Sequence, residues 1–394
     1  MGYENWIEEL KDNFKETVEW RRYLHENPEP SFQEKQTAAF IIKKLNEFQI
    51  KDIKTNVGNG YGIAARISGY KSGPTIAFRA DIDALKLQEE SDVTFSSKNP
   101  GVMHACGHDA HTAALLSVAK VLQKHRDELK GNIVLLFQNA EESFPGGAES
   151  MVENGCLEGV DFIYGAHVIS NFEVGKIGYF GKFGSACTDT FNIKIQGKGG
   201  HGAMPHTSVD PIIIGTYIVA ELQTLVSRYV DPMKPAVLTF AGFQAGGEAE
   251  NIIADSANLR GTVRTLDFDV RDLIETKIKE MSLAIANSFG GDAEVVYRRG
   301  YPSVINTQEE SQLLKRVMIS KFGEAEVFKA PTSMGGEDFA YYLQERPGAF
   351  FNIGAGNEKI NAIYPHHHPK FKIDEKSLLR CGEAFMALTE EYLL

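Results

Sequence analysis

Helical and extended segments alternate along the chain in an order that few folds can accommodate. Helix-like stretches near 4–25 and 33–48 precede a strand, TIAFRAD, and further helices and short apolar strands alternate up to the strand DFIYGAHV. Such alternation predicts a mostly parallel sheet with helices packed on it. From about residue 186 the order changes to β-α-β-β-α-β, which is typical of a ferredoxin-like α+β unit.

The change of order predicts a second domain inserted into the first. Residues 186–298 are enough for a separate domain, and after them helix and strand alternate again up to a final helix that begins near Asp374. A chain of 394 residues is also long enough to bury two hydrophobic cores. We therefore expect an α/β domain of residues 1–185 and 299–394, interrupted by an α+β domain of residues 186–298.

The charge and the cysteines limit the partners and the compartment. Lys and Arg number 41 against 53 Asp and Glu, a formal net charge of −12, so the average field repels phosphate backbones and anionic membrane surfaces. We expect no nucleic-acid partner and no membrane partner. The opening segment is amphipathic and lacks the apolar core of a signal peptide. The 4 cysteines form no C-x-x-C pair, which fits a reducing compartment, so we expect a cytoplasmic protein.

Several residues with chemical function follow the predicted strands of the α/β domain. Ligands of open α/β sheets bind in the crevice beyond the carboxyl ends of the strands, so residues at these ends can converge on one point. Two acids follow TIAFRA, two more follow NIVLLF, a histidine ends a third strand, and a cysteine and a histidine precede a helix. These residues are Asp81, Asp83, Glu141, Glu142, His167, Cys106 and His108.

The residue types in this group favour a metal site. Thiolate, imidazole and carboxylate are the ligands of zinc and similar ions, and catalytic sites keep a coordination position open for water. Each residue alone also has an ordinary explanation: a solvated Glu-Glu pair at a helix start, a hydrogen-bonded core histidine, or a small buried cysteine. The joint occurrence of C-x-H, E-E and G-A-H at successive strand ends favours the metal site over these separate explanations.

The motifs that carry these residues resemble the signatures of the M20 metallopeptidase family, in family order. They are closest to its amidohydrolase branch of aminoacylase, hippurate hydrolase and auxin-conjugate (IAA-amino acid) hydrolase types. The motifs are MHACGHDAHTAALL, FQNAEES, GAHV, GKGGHGAMPH, NIIAD, GTVRT, MGGEDFA and HHHPKF. The resemblance implies a zinc-peptidase-like catalytic domain with an inserted ferredoxin-like lid, and a homodimer formed through the lid domain.

The resemblance also assigns roles to individual residues. It implies that Cys106, His108, Glu142 and His167 bind two divalent metal ions, and that Glu141 acts as general base. Manganese, zinc and cobalt all suit a mixed site with one thiolate. The fifth ligand is expected in HHHPKF and is assigned to His367. Its two neighbours in this run leave the register open.

Further residues are assigned to the substrate and to the support of the ligands. By resemblance, His201 and Asn251 of the lid contact the substrate, although a turn histidine is the plain explanation for His201. Arg264 could bind a substrate carboxylate, with a surface ion pair as the alternative, and Gly335 of MGGEDFA is assigned to the substrate pocket. The residues expected to support or orient the ligands are Asp83, Asp109, His104 and His111.

Together these features predict a metal-dependent amidohydrolase that cleaves N-acyl amino acids, with Glu141 relaying the proton of the attacking water. Short peptides are a second substrate class, because they also present an amide beside a free carboxylate. Two alternatives differ in mechanism. One is a metal-free cysteine hydrolase with Cys106 as nucleophile. The other is a non-catalytic metal-binding scaffold of the same fold.

Overall fold

The structure is a computed structural model that describes residues 2–394. Within these residues the α-helices are α1 Gly2–Asp12, α2 Phe14–Glu26, α3 Lys35–Glu47, α4 His108–Lys124, α5 Ala148–Glu153, α6 Pro211–Leu222, α7 Phe268–Ser288, α8 Gln308–Phe322, α9 Ala340–Glu345 and α10 Lys376–Leu393. The strands are β1 Asp52–Val57, β2 Gly62–Ser68, β3 Lys71–Asp81, β4 Lys130–Gln138, β5 Phe162–Glu173, β6 Ile177–Tyr179, β7 Cys187–Gln196, β8 Gly200–His201, β9 Ala236–Ala245, β10 Ile252–Ile253, β11 Ser256–Thr265, β12 Asp292–Arg299, β13 Val327–Lys329 and β14 Gly348–Gly356.

The chain divides into two compact units. The first unit comprises the residues up to Gly184, Val304–Thr332 and Asp338–Leu394. The second unit comprises Ser185–Ser303 and Ser333–Glu337. Each unit has its own buried apolar cluster, as expected when a chain of this length forms two hydrophobic cores.

The first unit contains an eight-stranded mixed sheet in the order β1-β2-β4-β3-β5-β14-β6-β13. The central strands β4, β3, β5 and β14 are parallel to one another, whereas β1, β2 and β6 make the antiparallel pairings. The central strands are almost continuously buried, which is typical of parallel strands covered on both faces. The predicted α/β class with a large parallel sheet is therefore confirmed.

Helix α4 lies in the middle of the first unit. Almost all of its residues are buried, and it packs against α2, α10 and β3. Its buried stretch Ala110–Ala119 is rich in alanine, which lets the neighbouring helices and the sheet approach closely. The N-terminus of α4 is consequently held at the carboxyl end of β3, where the sequence places the candidate ligands.

Two elements differ from the prediction. The helix expected over 4–25 is divided at Asn13 into α1 and α2, and Asn13 Oδ1 accepts a hydrogen bond from Lys120 Nζ at 2.9 Å. The antiparallel hairpin of β1 and β2 was not predicted. Strand β1 is exposed along most of its length, so it lacks the apolar pattern by which a strand is recognised.

The second unit contains a four-stranded antiparallel sheet in the order β12-β7-β11-β9, with α6 and α7 connecting its strands. This is the predicted β-α-β-β-α-β sequence of elements. Asp210 and Asp267 cap α6 and α7 by accepting hydrogen bonds from Ile212 N and Asp269 N. The function of this unit as a lid stays a prediction. In the range 2–394, no helix has both the length and the apolar character needed to cross a membrane.

Candidate metal centre

Three neighbouring parallel strands bring the candidate residues of the first unit together. Strand β3 lies between β4 and β5, and Asp81 at the end of β3 is in register with Gln138 at the end of β4. Glu141 and Glu142 follow β4 after a short turn, and His167 lies within β5. The convergence follows from the parallel arrangement, since the carboxyl ends of adjacent parallel strands meet at one edge of the sheet.

The side chains expected to bind metal form one cluster. Cys106 Sγ lies 3.4 Å from His167 Nε2. His108 Nε2 lies 3.9 Å from Glu142 Oε1 and 4.0 Å from Glu141 Oε2. His367 Nε2 lies 3.3 Å from Glu142 Oε1. Groups of three with potential ligand atoms within 4.8 Å of one another include Cys106, His108 and His167; Cys106, Glu142 and His367; and His108, Glu141 and Glu142.

The tautomers of the two histidines direct the Nε2 atoms into this cluster. His108 Nδ1 donates to the carbonyl oxygen of Asp83 at 2.9 Å, and His167 Nδ1 donates to the carbonyl oxygen of Val168 at 2.7 Å. A carbonyl can only accept, so each Nδ1 carries the proton. In the neutral form of each imidazole, the form that binds metal, the lone pair therefore lies on Nε2.

The donor set fits a divalent cation. His108 Nε2 and Glu142 Oε1 are buried atoms without a hydrogen-bond partner among residues 2–394, an arrangement that costs about 1–3 kcal/mol per group unless something else satisfies them. Burial and the nearby carboxylates of Glu142 and Glu141 raise the pKa of the Cys106 thiol well above its ordinary value. A thiolate beside these acids needs a positive charge, and a cation within the cluster supplies it and satisfies both unpaired atoms.

Asp83 is hydrogen-bonded to two of the ligand candidates, His108 and Glu142. Its carboxylate accepts hydrogen bonds from His108 Nδ1 at 3.2 Å, Ser31 Oγ at 2.7 Å and the backbone N–H of Glu142 at 3.0 Å. Burial raises the pKa of Asp83, but the hydrogen bond from His108 and the other donors outweigh it and hold the pKa below its ordinary value. One ionised carboxylate therefore sets the orientation of a histidine and of the Glu-Glu turn.

A second buried network lies beside the cluster and contains His111, which is expected from the sequence to support the ligands, together with Arg79 and Asp338, to which the sequence assigned no role. His111 Nδ1 donates to Asp81 Oδ1 at 2.5 Å, and His111 Nε2 accepts from Val168 N at 2.8 Å. Asp81 Oδ2 accepts from Arg79 Nη1 at 2.6 Å, and Arg79 also pairs with Asp338. Both nitrogens of His111 have protein partners, so this histidine supports the site and does not offer a ligand atom. The R-A-D order at the end of β3 is the local signal of this network.

The three consecutive histidines of HHHPKF have different surroundings. His367 adopts a left-handed φ of 63° and points its Nε2 at Glu142. His366 Nε2 donates to the carbonyl oxygen of Val168 at 2.9 Å. His368 Nδ1 accepts from Lys370 N, and its ring stacks on Tyr364. Of the three, His367 is therefore the one whose ring nitrogen meets another ligand candidate.

Asp109 has other partners than those expected. Its carboxylate accepts from His25 Nδ1 at 2.7 Å and lies 2.8 Å from Arg21 Nε, and all three side chains are buried. These contacts join α2 to the first turn of α4. The expected orientation of a metal ligand by Asp109 has no support in them, because the second residue of α4 turns its side chain towards α2. His104, also expected to support the site, is buried with no hydrogen-bond partner for either ring nitrogen among residues 2–394.

The candidate substrate residues lie in the second unit. His201 and Asn251 line one open groove of about 1020 Å³, formed around the short strands β8 and β10. Both side chains are exposed, and His201 Nδ1 accepts a hydrogen bond from Ala203 N. Arg264 donates to Thr262 Oγ1 and to the carbonyl oxygen of Val263. Gly335 is exposed, and its carbonyl accepts from Ala186 N.

This fold and this cluster are those of a metallopeptidase-type hydrolase, and comparison with known proteins identifies the family. Residues 77–391 match the sequence model of peptidase family M20/M25/M40. The chain belongs to this family and is a hydrolase. The resemblance that the motifs indicated is thereby confirmed.

Among the relatives is the N-acyl-L-amino acid amidohydrolase of Geobacillus stearothermophilus, which is 45% identical over 77% of this chain and 81% of its own. Thermostable carboxypeptidase 2 of Saccharolobus solfataricus is 38% identical over 97% of both chains. Among solved structures, a dinuclear metal binding peptidase of the M20 family from Bacillus subtilis has a TM-score of 0.84 and 36% identity, with 96% of this chain and 98% of that chain covered.

Proposed function

We propose that this protein is a metal-dependent amidohydrolase that cleaves the amide bond of N-acyl amino acids. The observation that supports the proposal most is the convergence of one thiol, three imidazoles and two carboxylates from distant segments on one cluster. These residues are Cys106, His108, His167, His367, Glu141 and Glu142. The relatives named above include an N-acyl amino acid amidohydrolase and a carboxypeptidase, which favours amide bonds as the substrate.

The ligand atoms of the cluster form two groups, and each group suits one divalent ion. One group of ligand atoms combines Cys106 with His108 and His167, and another combines Cys106 with Glu142 and His367. We assign these five residues as the ligands of a pair of ions, with Cys106 common to both groups. When bound, the ions lower the pKa of a water molecule and polarise the amide carbonyl. Manganese, zinc and cobalt all suit the donor set.

Glu141 is the candidate for moving the proton. It is the carboxylate next to the ligand Glu142, it is 7% exposed, and its Oε2 lies 4.0 Å from His108 Nε2. A carboxylate at this place accepts the proton of the attacking water and donates it to the nitrogen of the leaving amine. Its burial keeps bulk water away, so the proton stays in the site between the two steps.

For the substrate, we propose a small molecule with an amide bond next to a free carboxylate. Exposed His201 and Asn251, which share a groove of the second unit, offer hydrogen-bonding groups to such a molecule. Arg264 and Gly335 are further candidates, and the Arg264 guanidinium suits a carboxylate. Short peptides present the same groups, and the carboxypeptidase relative makes them the second substrate class to test.

A metal-free cysteine hydrolase fits the site less well. Cys106 and His167 are close enough for a thiol-imidazole pair. A nucleophilic thiol needs a lowered pKa, whereas burial and the neighbouring acids raise the pKa of Cys106. Burial and the neighbouring histidines lower the pKa of His167, so it is a poor partner for a thiolate. The non-catalytic scaffold is also disfavoured, because the full set of expected ligands and the expected base are present.

A substrate panel with matched variants tests the proposal. Purified protein supplied with Mn²⁺ or Zn²⁺ is incubated with acetyl, benzoyl and indole-acetyl conjugates of amino acids and with dipeptides, and the released amino acid is quantified. We expect Glu141→Gln to lower kcat by about 10²-fold or more while the bound metal is retained. Glu149→Gln, an exposed glutamate in the first turn of α5, is the control. Full activity of Glu141→Gln contradicts the proton-relay assignment, and inactivity of the wild type on the whole panel contradicts the proposed function.

We also propose a homodimer formed through the second unit and a cytoplasmic location. Helix α6 exposes Ile212, Ile213 and Tyr217, which favours an interface there. The cysteines at positions 106, 156, 187 and 381 are all free and buried, which suits a reducing compartment. Light scattering tests the homodimer, because a monomer at every protein concentration contradicts it.

A further inference from the structure

Glu34 is a buried acid that the proposed reaction does not use. Its side chain is 0% exposed and lies in the loop before α3. Its Oε1 accepts two backbone hydrogen bonds, from Phe32 N and from Ala140 N, both at 2.9 Å. Its Oε2 is buried and has no hydrogen-bond partner among residues 2–394. Ala140 directly precedes Glu141, so one carboxylate oxygen touches the turn that carries the candidate base.

Both backbone donors belong to residues in an unfavourable conformation. Phe32 has φ 66° and Ala140 has φ 55°, in the left-handed region that residues with a Cβ rarely adopt. Such a conformation costs about 1–2 kcal/mol per residue and persists only when its surroundings hold it. The hydrogen bonds to Glu34 stabilise this conformation, because both N–H groups donate to the same buried oxygen.

The same loop also reaches the group that orients His108. Ser31 Oγ donates to Asp83 at 2.7 Å, and Asp83 in turn accepts from the backbone N–H of Glu142. The loop itself is fastened to the strand end, because Ala84 N donates to the carbonyl oxygen of Glu29 at 2.8 Å. The segment from Glu29 to Glu34 therefore contacts the Glu-Glu turn both through Asp83 and directly through Glu34.

We propose that Glu34 is a positioning residue for the hydrolysis: by accepting the Ala140 N–H it fixes the left-handed turn that aims the Glu141 carboxylate at the reaction. The proposal rests on the proposed function, in which Glu141 moves the proton. It assigns Glu34 no contact with substrate or metal. The essential group is the acceptor oxygen, not the negative charge, because only Oε1 makes the two hydrogen bonds.

The protonation of Glu34 agrees with this role. Burial, and next the nearby charge of Asp83, raise the pKa of Glu34 to about 7. The carboxyl group is therefore about half protonated near neutral pH. Both of its hydrogen bonds are accepted by Oε1, so the other oxygen can carry the proton without breaking them. Glutamine preserves that oxygen and replaces the other with an uncharged group, so Glu34→Gln isolates the acceptor from the charge. Leucine has a similar volume and no acceptor.

The experiment compares Glu34→Gln and Glu34→Leu in the full-length, metal-loaded protein. We expect Glu34→Leu to lower kcat on the order of 100-fold, the size of effect that a shift of about 1 Å in a catalytic group can cause, with KM and the bound metal unchanged. Glu34→Gln is expected to keep kcat within about threefold, since its hydrogen bonds remain. Glu310→Leu, which removes another buried carboxyl of the first unit, is the control and should keep wild-type kcat.

Hydrogen exchange supplies a readout that does not depend on turnover. The amide of Ala140 should exchange as slowly as those of β4 in the wild type and about tenfold or more faster in Glu34→Leu. Unprotected Ala140 in the wild type overturns the proposal even where Glu34→Leu does not fold. The proposal is also overturned if Glu34→Leu keeps the wild-type kcat. It is likewise overturned if Glu34→Gln or Glu310→Leu lowers kcat as much as Glu34→Leu does. A wild type that hydrolyses nothing contradicts the proposed function and, with it, a role of Glu34 in hydrolysis, whereas the exchange result separately tests whether Glu34 holds the turn.

Discussion

Replacing Asp83 with asparagine tests how the site holds its metal. The carboxylate accepts from His108 Nδ1 through Oδ1 and from Ser31 Oγ and Glu142 N through Oδ2. An asparagine side chain has one oxygen, so in either orientation its NH₂ group faces an N–H donor, of His108 or of Glu142. At least one hydrogen bond to a charged acceptor is lost, which is worth about 1.5–3 kcal/mol.

This loss lowers the affinity for the metal, because a ligand that is no longer held in its binding orientation must be ordered when the metal binds. A loss of about 1.5–3 kcal/mol corresponds to a complex weaker by about 10- to 150-fold, and loss of such orienting partners typically weakens metal binding by about 10–100-fold. We therefore expect Asp83→Asn to raise the Kd for Mn²⁺ or Zn²⁺ by this factor. Asp161→Asn is the control, because Asp161 Oδ2 accepts from Thr75 N at the opposite end of the strands.

Competition against a fluorescent chelator at pH 7.5 measures both dissociation constants. Asp83→Asn protein that competes as well as the wild type would refute the reasoning, since the carboxylate would then contribute nothing to holding the imidazole. An equal loss of affinity in Asp161→Asn would refute it as well, because the effect would then reflect general destabilisation. The melting temperature of each metal-free variant separates folding from binding.

Three other outcomes are expected. Gly107→Ala places a Cβ 2.4 Å from Val168 Cγ2 at a φ of 92°, so it should lower the melting temperature and the metal content more than Gly323→Ala, which has φ 87° and open space. Burial lowers the pKa of His25, but the neighbouring carboxylates, Asp109 foremost, raise it above its ordinary value. The stability this histidine adds is complete below pH 6.5. It is lost as pH rises through the folded pKa, so urea titrations should show a pH-dependent decrease in the wild type that His25→Gln lacks. Dialysis against a chelator should abolish hydrolysis, and added Mn²⁺ or Zn²⁺ should restore it.

Local patterns in the sequence were sufficient for the fold class and the family. Buried parallel strands appear as continuous apolar runs and the helices as apolar residues at helical spacing, whatever lies next to them in space. The ligand candidates were recognisable because metals use few residue types and parallel strands end at one edge. The exposed strand β1 was missed, because an edge strand that contacts water on most of its length has no such pattern.

Only the tertiary structure decided which polar groups meet. Of three adjacent histidines it places His367 against Glu142, whereas His366 contacts the Val168 carbonyl and His368 contacts Lys370 N. It joined Asp109 to the α2 side of the molecule and Glu34 to the turn before Glu141. A carboxylate or an imidazole can serve as ligand, support or ion pair. Its role depends on donors that arrive from segments far away in the chain, and local sequence does not contain that information.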